Sequence, residues 1–337
     1  MSAHPTPLLE NLLKDVSRSF YLTLRVLPAA VRPQIGLAYL LARAADTIAD
    51  TDIIPVVGRL AALQGFRKIL VGSESGEFQA DEFVAAHEVS AGERLLLRRI
   101  DEALQALERF DPADQRLIRD VLQTITSGQE LDLQRFAYAS RNCIIPLQTD
   151  AELDDYTFRV AGCVGEFWTR MCRRHLFPAD SIDDADLIAN GIRFGKGLQL
   201  INILRDLPED LRRGRCYLPL AQLSEMELKP QEMLALENES RLRPLYDDYL
   251  DRAEAHLAAG WYYTNLLPRR AVRVRLACAW PILIGRKTLA RLRSERILDP
   301  ARRIKIRRQE VWWLVARSVL TYPFARVWRR LYHSGGT

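Results

Sequence analysis

The chain has 337 residues, 48% hydrophobic and 27% charged, an ordinary globular composition that allows one large or two ordinary domains. Five scattered cysteines without a C-x-x-C pair speak against a zinc site or a disulfide framework. The N-terminal Met-Ser-Ala-His-Pro-Thr-Pro lacks a signal peptide's basic and apolar regions, and no stretch of about 18 uncharged apolar residues predicts a membrane-spanning helix. The net charge of +5 hides a gradient. Arg269 to Arg330 carries 18 Lys and Arg against 3 Asp and Glu, and the remainder carries 30 basic against 40 acidic groups. The basic end suits nucleic acid, anionic lipid or an anionic substrate, but no helix-turn-helix, zinc-finger or RNP-like pattern supports nucleic acid as a partner.

Helical periodicity dominates and alternating strand patterns are nearly absent. Leu8 to Val16 is a short amphipathic opening. In Ser17-Arg18-Ser19-Phe20, a serine is placed to cap a helix and Arg18 to reach an anion. Pro28 and Pro33 lead into a helix ending near Asp50. Gly72 to Gly76 is a loop, and the polar stretch to Glu93 reads as a mobile surface connection. Helices are expected over Leu95 to Phe110 and Arg116 to Phe136, where Gln129-Glu-Leu-Asp132 has the spacing of a solvated face. Asp154 to Met171 is a further helix, with Ala161, Gly162 and Gly165 permitting close backbone approach. Ile188 to about Asp206 follows, then an arginine-rich turn, then helices near Pro230 to Leu236, Arg241 to Thr264 and Ala271 to Leu292. The pattern predicts one compact all-helical domain of antiparallel helices around a central cavity.

Two of these helices carry matching rows of polar groups. Tyr39, Arg43, Asp46 and Asp50 fall at i, i+4, i+7 and i+11, and Gln199, Asn202, Asp206 and Asp210 at i, i+3, i+7 and i+11. Like charges four residues apart repel, so a cation is expected between them. A single such pair reads as a solvated helix face. Two pairs, each with an arginine beside or within it (Arg43, Arg205), point to Mg²⁺, which takes one or two carboxylates and completes its octahedron with waters and phosphates. Facing pairs would hold a diphosphate through shared Mg²⁺. Pro208 removes a backbone donor inside the second row and predicts that Asp210 leaves the stripe.

The chain from Ser17 to about Gln309 resembles the squalene/phytoene synthase family, the head-to-head prenyl synthases. The motifs that carry the resemblance are Ser17-Arg-Ser-Phe20, Tyr39 to Asp50, Tyr156-Thr-Phe-Arg-Val-Ala-Gly-Cys-Val-Gly165, and Gln199 to Asp210 followed by Gly214-Arg-Cys-Tyr-Leu-Pro219. Asp46-Thr-Ile-Ala-Asp50, Cys278-Ala-Trp-Pro281 and the basic segment Arg303-Ile-Lys-Ile-Arg-Arg308 resemble the squalene synthase branch in particular, without the C-terminal spanning tail of its eukaryotic members.

The resemblance implies an all-α, isoprenoid-synthase-type helical bundle, with a catalytic domain over 1–309 and a basic aromatic tail over 310–337. It implies condensation of two farnesyl diphosphates to presqualene diphosphate, then reduction by NADPH to squalene. Asp46, Asp50, Asp206 and Asp210 would hold Mg²⁺, and Arg18, Arg43 and Arg205 the diphosphate, with Ser17, Ser19, Phe20, Gln199 and Asn202 also at the substrate. Tyr156 would manage the proton or leaving group, with Tyr39, Arg43 and Arg205 as further catalytic groups. Lys305 and Arg307 would bind NADPH phosphates or close a lid. The expected location is the cytoplasm with peripheral membrane contact through the tail, whose Trp, Tyr and Arg suit a bilayer interface or packing against the enzyme body. Alternatives are a synthase stopping at presqualene diphosphate, a phytoene synthase, or a non-catalytic membrane-bound assembly factor, which the four retained aspartates disfavour.

Overall fold

Helices make up most of the described backbone, as the periodicity predicts. The computed structural model of the protein describes residues 7–16, 21–72, 78–86, 89–299, 301 and 304–334. By contacts the chain divides into two units, Met1–Ala137 with Phe167–Asp180, and Tyr138–Glu166 with Ser181–Thr337.

In the first unit the order is α1 (Pro7–Val16), α2 (Tyr21–Val26), α3 (Arg32–Asp50), α4 (Val56–Leu70), α5 (Asp81–Ala85), α6 (Ala91–Arg98), α7 (Ile100–Leu107) and α8 (Pro112–Arg135). Pro33 starts α3 where a missing N–H costs nothing. Ile35, Leu37, Leu40, Leu41, Ala44, Ala45 and Ile48 are all buried, so α3 is apolar nearly all round and packs against α1, α4, α6, α7 and α8. The stretch before Glu93, expected to be a loose surface connection, is anchored by buried Phe78 and Phe83, and Ser90 caps α6 with Glu93 in a capping box.

The second unit contains β1 (Ile145–Leu147), α9 (Asp150–Thr157), a π-helical turn (Phe158–Gly162), the start of α10 (Cys163–Leu176), α11 (Asp184–Arg212), β2 (Arg215–Pro219), α12 (Leu220–Glu225), α13 (Glu239–Leu266), α14 (Val272–Ser294), α15 (Arg308–Thr321) and α16 (Ala325–Ser334). The arginine-rich turn after α11 leads through Gly214, at φ +82°, into β2, which pairs in parallel with β1 in register Ile145 to Arg215. The α11 helix is central here, against α13, α14, β2 and the π-helical turn. Glycines set the close approach: a Cβ on Gly165 would lie 1.9 Å from the Gly191 carbonyl oxygen, and one on Gly195 2.1 Å from that of Ala161.

Pro208 does not end α11. The helix runs on to Arg212 and keeps Asp206 and Asp210 on one stripe. The carbonyl of Leu204, which loses its i+4 donor to the proline, instead accepts the buried hydroxyl of Tyr246 on α13 at 2.9 Å.

Candidate active site

The first row of polar groups lies on α3, whose remaining faces are buried. Tyr39 donates to the Val16 carbonyl at 3.4 Å. Arg43 contacts the carboxylate of Glu93 and lies 3.8 Å from that of Asp46. Burial works against the charge of Arg43, but the Glu93 hydrogen bond and the fields of Asp46 and Glu93 outweigh it and raise its pKa. Glu93 is in turn held below the usual carboxylate range: burial opposes this, and the Ser90 hydroxyl, Arg43 and the Ser90 N–H overcome it. Asp46 accepts a hydrogen bond from the Gln129 amide on α8.

Asp46 is a strongly perturbed acid. Its carboxyl is pushed up to about 7, first by burial and then by the negative charge of Asp50, against the opposing effects of Arg43 and Gln129. Its side chain nevertheless keeps 44% of its surface accessible, so a cation can reach a group that is otherwise crowded by protein.

The Gln129 to Asp132 segment is therefore not simply a solvated face. Gln129 is buried against Asp46, and buried Glu130 pairs with Arg67 at 3.4 Å. Burial raises the Glu130 carboxyl, with Arg67 opposing. The signal that sequence reading missed is the buried stripe Leu122, Thr126, Gln129, Glu130 and Leu133 on α8.

The second row lies along α11. Gln199, Asp206 and Asp210 are half-buried and Asn202 is exposed, with its amide 3.5 Å from the Gln199 carbonyl oxygen. Arg205 grips its neighbour Asp206 in a fork, Nε and Nη2 donating at 2.9 and 2.6 Å. That hydrogen bond, working against burial and helped by the charges of Asp206 and Asp210, raises the Arg205 pKa. In the same unit Tyr156, one turn before the π-helical segment, stacks on Tyr217 of β2 with ring centroids 4.8 Å apart and hydroxyls at 3.4 Å. Both are buried. Tyr217 was not singled out from the sequence, although it lies within a motif that carries the resemblance. Local π-helix is common where a backbone is bent to serve a site.

Lys305 and Arg307 expose their side chains on the segment before α15. Their backbone is tied down: Arg291 contacts the Lys305 carbonyl, and the Arg307 N–H donates to Glu310 at 2.9 Å. Glu310 also pairs with Lys287 at 3.0 Å and Arg291 at 2.7 Å. Ser17, Arg18, Ser19, Phe20, Arg302 and Arg303 lie outside the described residues.

Helices α3 and α11 each present a row of polar groups ending in an Asp pair, and the family the chain matches is a prenyltransferase-type enzyme class. Residues 13–310 match the family model described as squalene/phytoene synthase, and the chain belongs to that family, whose members condense prenyl diphosphates head to head. It is similar to a bifunctional lycopene cyclase/phytoene synthase of Phaeosphaeria nodorum, 29% identical over 72% of this chain. The matched region spans only 38% of that longer relative. It is 30% identical to a presqualene diphosphate synthase of Rhodopseudomonas palustris, over 76% of this chain and 77% of the relative. The solved ligand complex of TcSQS superposes with a TM-score of 0.74 at 21% identity, over 98% of this chain and 97% of the other, a likeness of fold.

The family typically uses a divalent metal. Among the described residues no group of three or more His, Cys, Asp or Glu is arranged to hold one. Each helix instead offers two carboxylates four residues apart, and burial followed by the negative charge of Asp50 raises the Asp46 carboxyl. Such a donor set fits Mg²⁺ recruited together with substrate phosphates.

Proposed function

We propose that this chain condenses two farnesyl diphosphates to presqualene diphosphate and reduces that intermediate with NADPH to squalene. The observation that carries the reading is the pair of carboxylate stripes on α3 and α11, with Asp210 kept in line past Pro208.

Asp46 and Asp50 on α3, and Asp206 and Asp210 on α11, are the residues that would hold Mg²⁺. The metal would supply charge neutralisation of the departing diphosphate. Arg43 lies within the first stripe and Arg205 beside the second, already paired with Glu93 and Asp206, so they orient carboxylates and add positive charge. Gln199 and Asn202 continue the α11 row and orient phosphate or water. When the allylic cation closes a cyclopropane on the second chain, a proton is lost, and Tyr156, with the Tyr217 hydroxyl 3.4 Å from its own, would hold or relay it. Apolar helix faces exclude water from the cationic stage. Lys305 and Arg307, cations on a tied-down backbone, suit the phosphates of NADPH, which would supply the hydride. The whole enzyme works in the cytoplasm, attached peripherally to the membrane that receives its C30 product.

The reading is tested by diphosphate release from farnesyl diphosphate. Release should require Mg²⁺, and Asp46→Asn and Asp206→Asn should each lower it by about 10²-fold or more. Metal-independent release, or wild-type rates in both variants, would refute it.

A second reading, synthesis that stops at presqualene diphosphate, is favoured by the similarity to the R. palustris relative over most of both chains.

A further inference from the structure

The basic aromatic tail divides into two faces with different tasks. The inner face locks it to the body of its own unit. The Trp280 indole donates to Ser318 at 2.9 Å, and buried Trp328 stacks on Trp261 at 5.2 Å and donates to Asn265 at 3.0 Å. The Arg286 guanidinium sits 4.2 Å over the Tyr332 ring, and the Tyr332 hydroxyl donates to the Glu254 carbonyl at 3.2 Å. At the turn between α15 and α16, the Tyr322 hydroxyl donates to the Arg269 carbonyl at 2.6 Å and Arg269 donates back to the Pro323 carbonyl at 2.7 Å. The helical hairpin is thus fixed at both of its helices and at its turn.

The outer face is apolar as well. Trp312, Trp313, Val319, Leu320, Phe324 and Val327 are exposed, Leu320 by 72% and Phe324 by 64%. Six of the fifteen exposed large hydrophobic side chains among the described residues therefore fall within sixteen consecutive positions. Scattered apolar residues are normal on a surface, but a concentrated patch is a contact site. Trp312, Ala316, Val319 and Leu320 follow a helical stripe opposite the buried Leu314 and Ser318, so α15 is apolar on two sides while protein covers one. Packing explains the inner aromatics and leaves the outer ones without a reason.

The charge around this patch says what covers it. No Asp or Glu occurs from Val311 to Thr337. Arg326, Arg329 and Arg330 are exposed on α16, and the stitched turn sets exposed Arg269 against Pro323, next to Phe324. The Arg317 guanidinium lies 5.0 Å over the Trp313 ring, a cation held at an indole face. Aromatic and aliphatic side chains rimmed by arginines match the acyl boundary and headgroups of an anionic bilayer.

We propose that the outward face of the α15–α16 hairpin is a docking surface for an anionic lipid bilayer. The apolar side chains enter the interface, the arginines meet phosphate headgroups, and the inner aromatic lock keeps the hairpin rigid. This rests on the reading of the enzyme as a peripheral membrane protein and assigns the residues that make the contact.

The test is co-sedimentation of the full chain with phosphatidylcholine vesicles, with and without phosphatidylglycerol. Leu320→Glu/Phe324→Glu and Arg326→Glu/Arg330→Glu are compared with wild type, and circular dichroism checks folding. Wild type should bind the anionic vesicles preferentially, and each double variant should lose about tenfold or more in affinity. Turnover of farnesyl diphosphate in detergent should be unchanged, since these side chains lie outside the carboxylate stripes. Wild type that binds no vesicle would end the membrane reading itself. Variants that bind as well as wild type would overturn this surface while the membrane reading stands. Light scattering that shows a dimer dissolved by Leu320→Glu/Phe324→Glu would reassign the face to a second copy of the chain, and also overturns the proposal.

Discussion

The hydroxyl of Tyr246 donates at 2.9 Å to the carbonyl of Leu204, the acceptor that Pro208 strands four residues on. One side chain on α13 thereby lets α11 continue past a proline and deliver Asp210 on the same stripe as Asp206. Tyr246→Phe should leave the carbonyl buried without a donor and cost about 1–3 kcal/mol of stability. Mg²⁺-dependent activity should fall as well, because Asp210 loses its fixed place. Restoring the backbone donor with Pro208→Ala should shrink both deficits, which a double-mutant cycle on thermal unfolding and on activity would read. Additive effects would contradict the link.

Gln129 acts on Asp46 through a hydrogen bond that favours the ionised carboxylate. Removing it with Gln129→Leu should push the Asp46 carboxyl further above its present value of about 7. The metal needs the deprotonated form, so the acid limb of the pH–rate profile should move to higher pH, and more Mg²⁺ should move it back. A profile that does not move would reduce Gln129 to packing.

Asp46 also ties stability to pH. Its folded pKa is raised from 3.8 to about 7, so its contribution to stability is complete below the unfolded value and is lost as pH rises through about 7. Without metal, Asp46→Asn should therefore unfold at a higher temperature than wild type at about pH 8, with a smaller difference at about pH 5. Mg²⁺ with inorganic diphosphate should narrow the gap by binding only the wild-type pair. Differential scanning fluorimetry at the two pH values reads all three effects.

The stacked tyrosines separate shape from proton transfer. Tyr156→Phe keeps the ring against Tyr217 and removes one hydroxyl. If that hydroxyl handles the proton lost on ring closure, formation of presqualene diphosphate should drop by about 10²–10⁴-fold with little change in farnesyl diphosphate affinity. Tyr217→Phe should have the same sign and a smaller size. Equal, small losses in both would make the pair structural.

Much of this was legible because helix period is a local property. Tyr39 to Asp50 and Gln199 to Asp210 declare their stripes through spacing alone, and the structure puts each row on one helix. What escaped depends on partners far away in sequence. Pro208 reads as a helix stop until Tyr246 is seen bonding the Leu204 carbonyl from 42 residues further on, and Gln129 reads as solvated until α8 lies against Asp46, 83 residues earlier. The short parallel pair of β1 and β2 joins strands of three and five residues, too short to show alternation. The tail was ambiguous between packing and lipid because it has both faces: Trp328 is buried and Trp312 and Trp313 are exposed.

The most direct measurement is to incubate the purified protein with farnesyl diphosphate and Mg²⁺, with and without NADPH, and to identify the extracted products by mass spectrometry. The account predicts squalene only when NADPH is present and presqualene diphosphate without it. Farnesyl diphosphate left intact under both conditions would contradict the account at its centre.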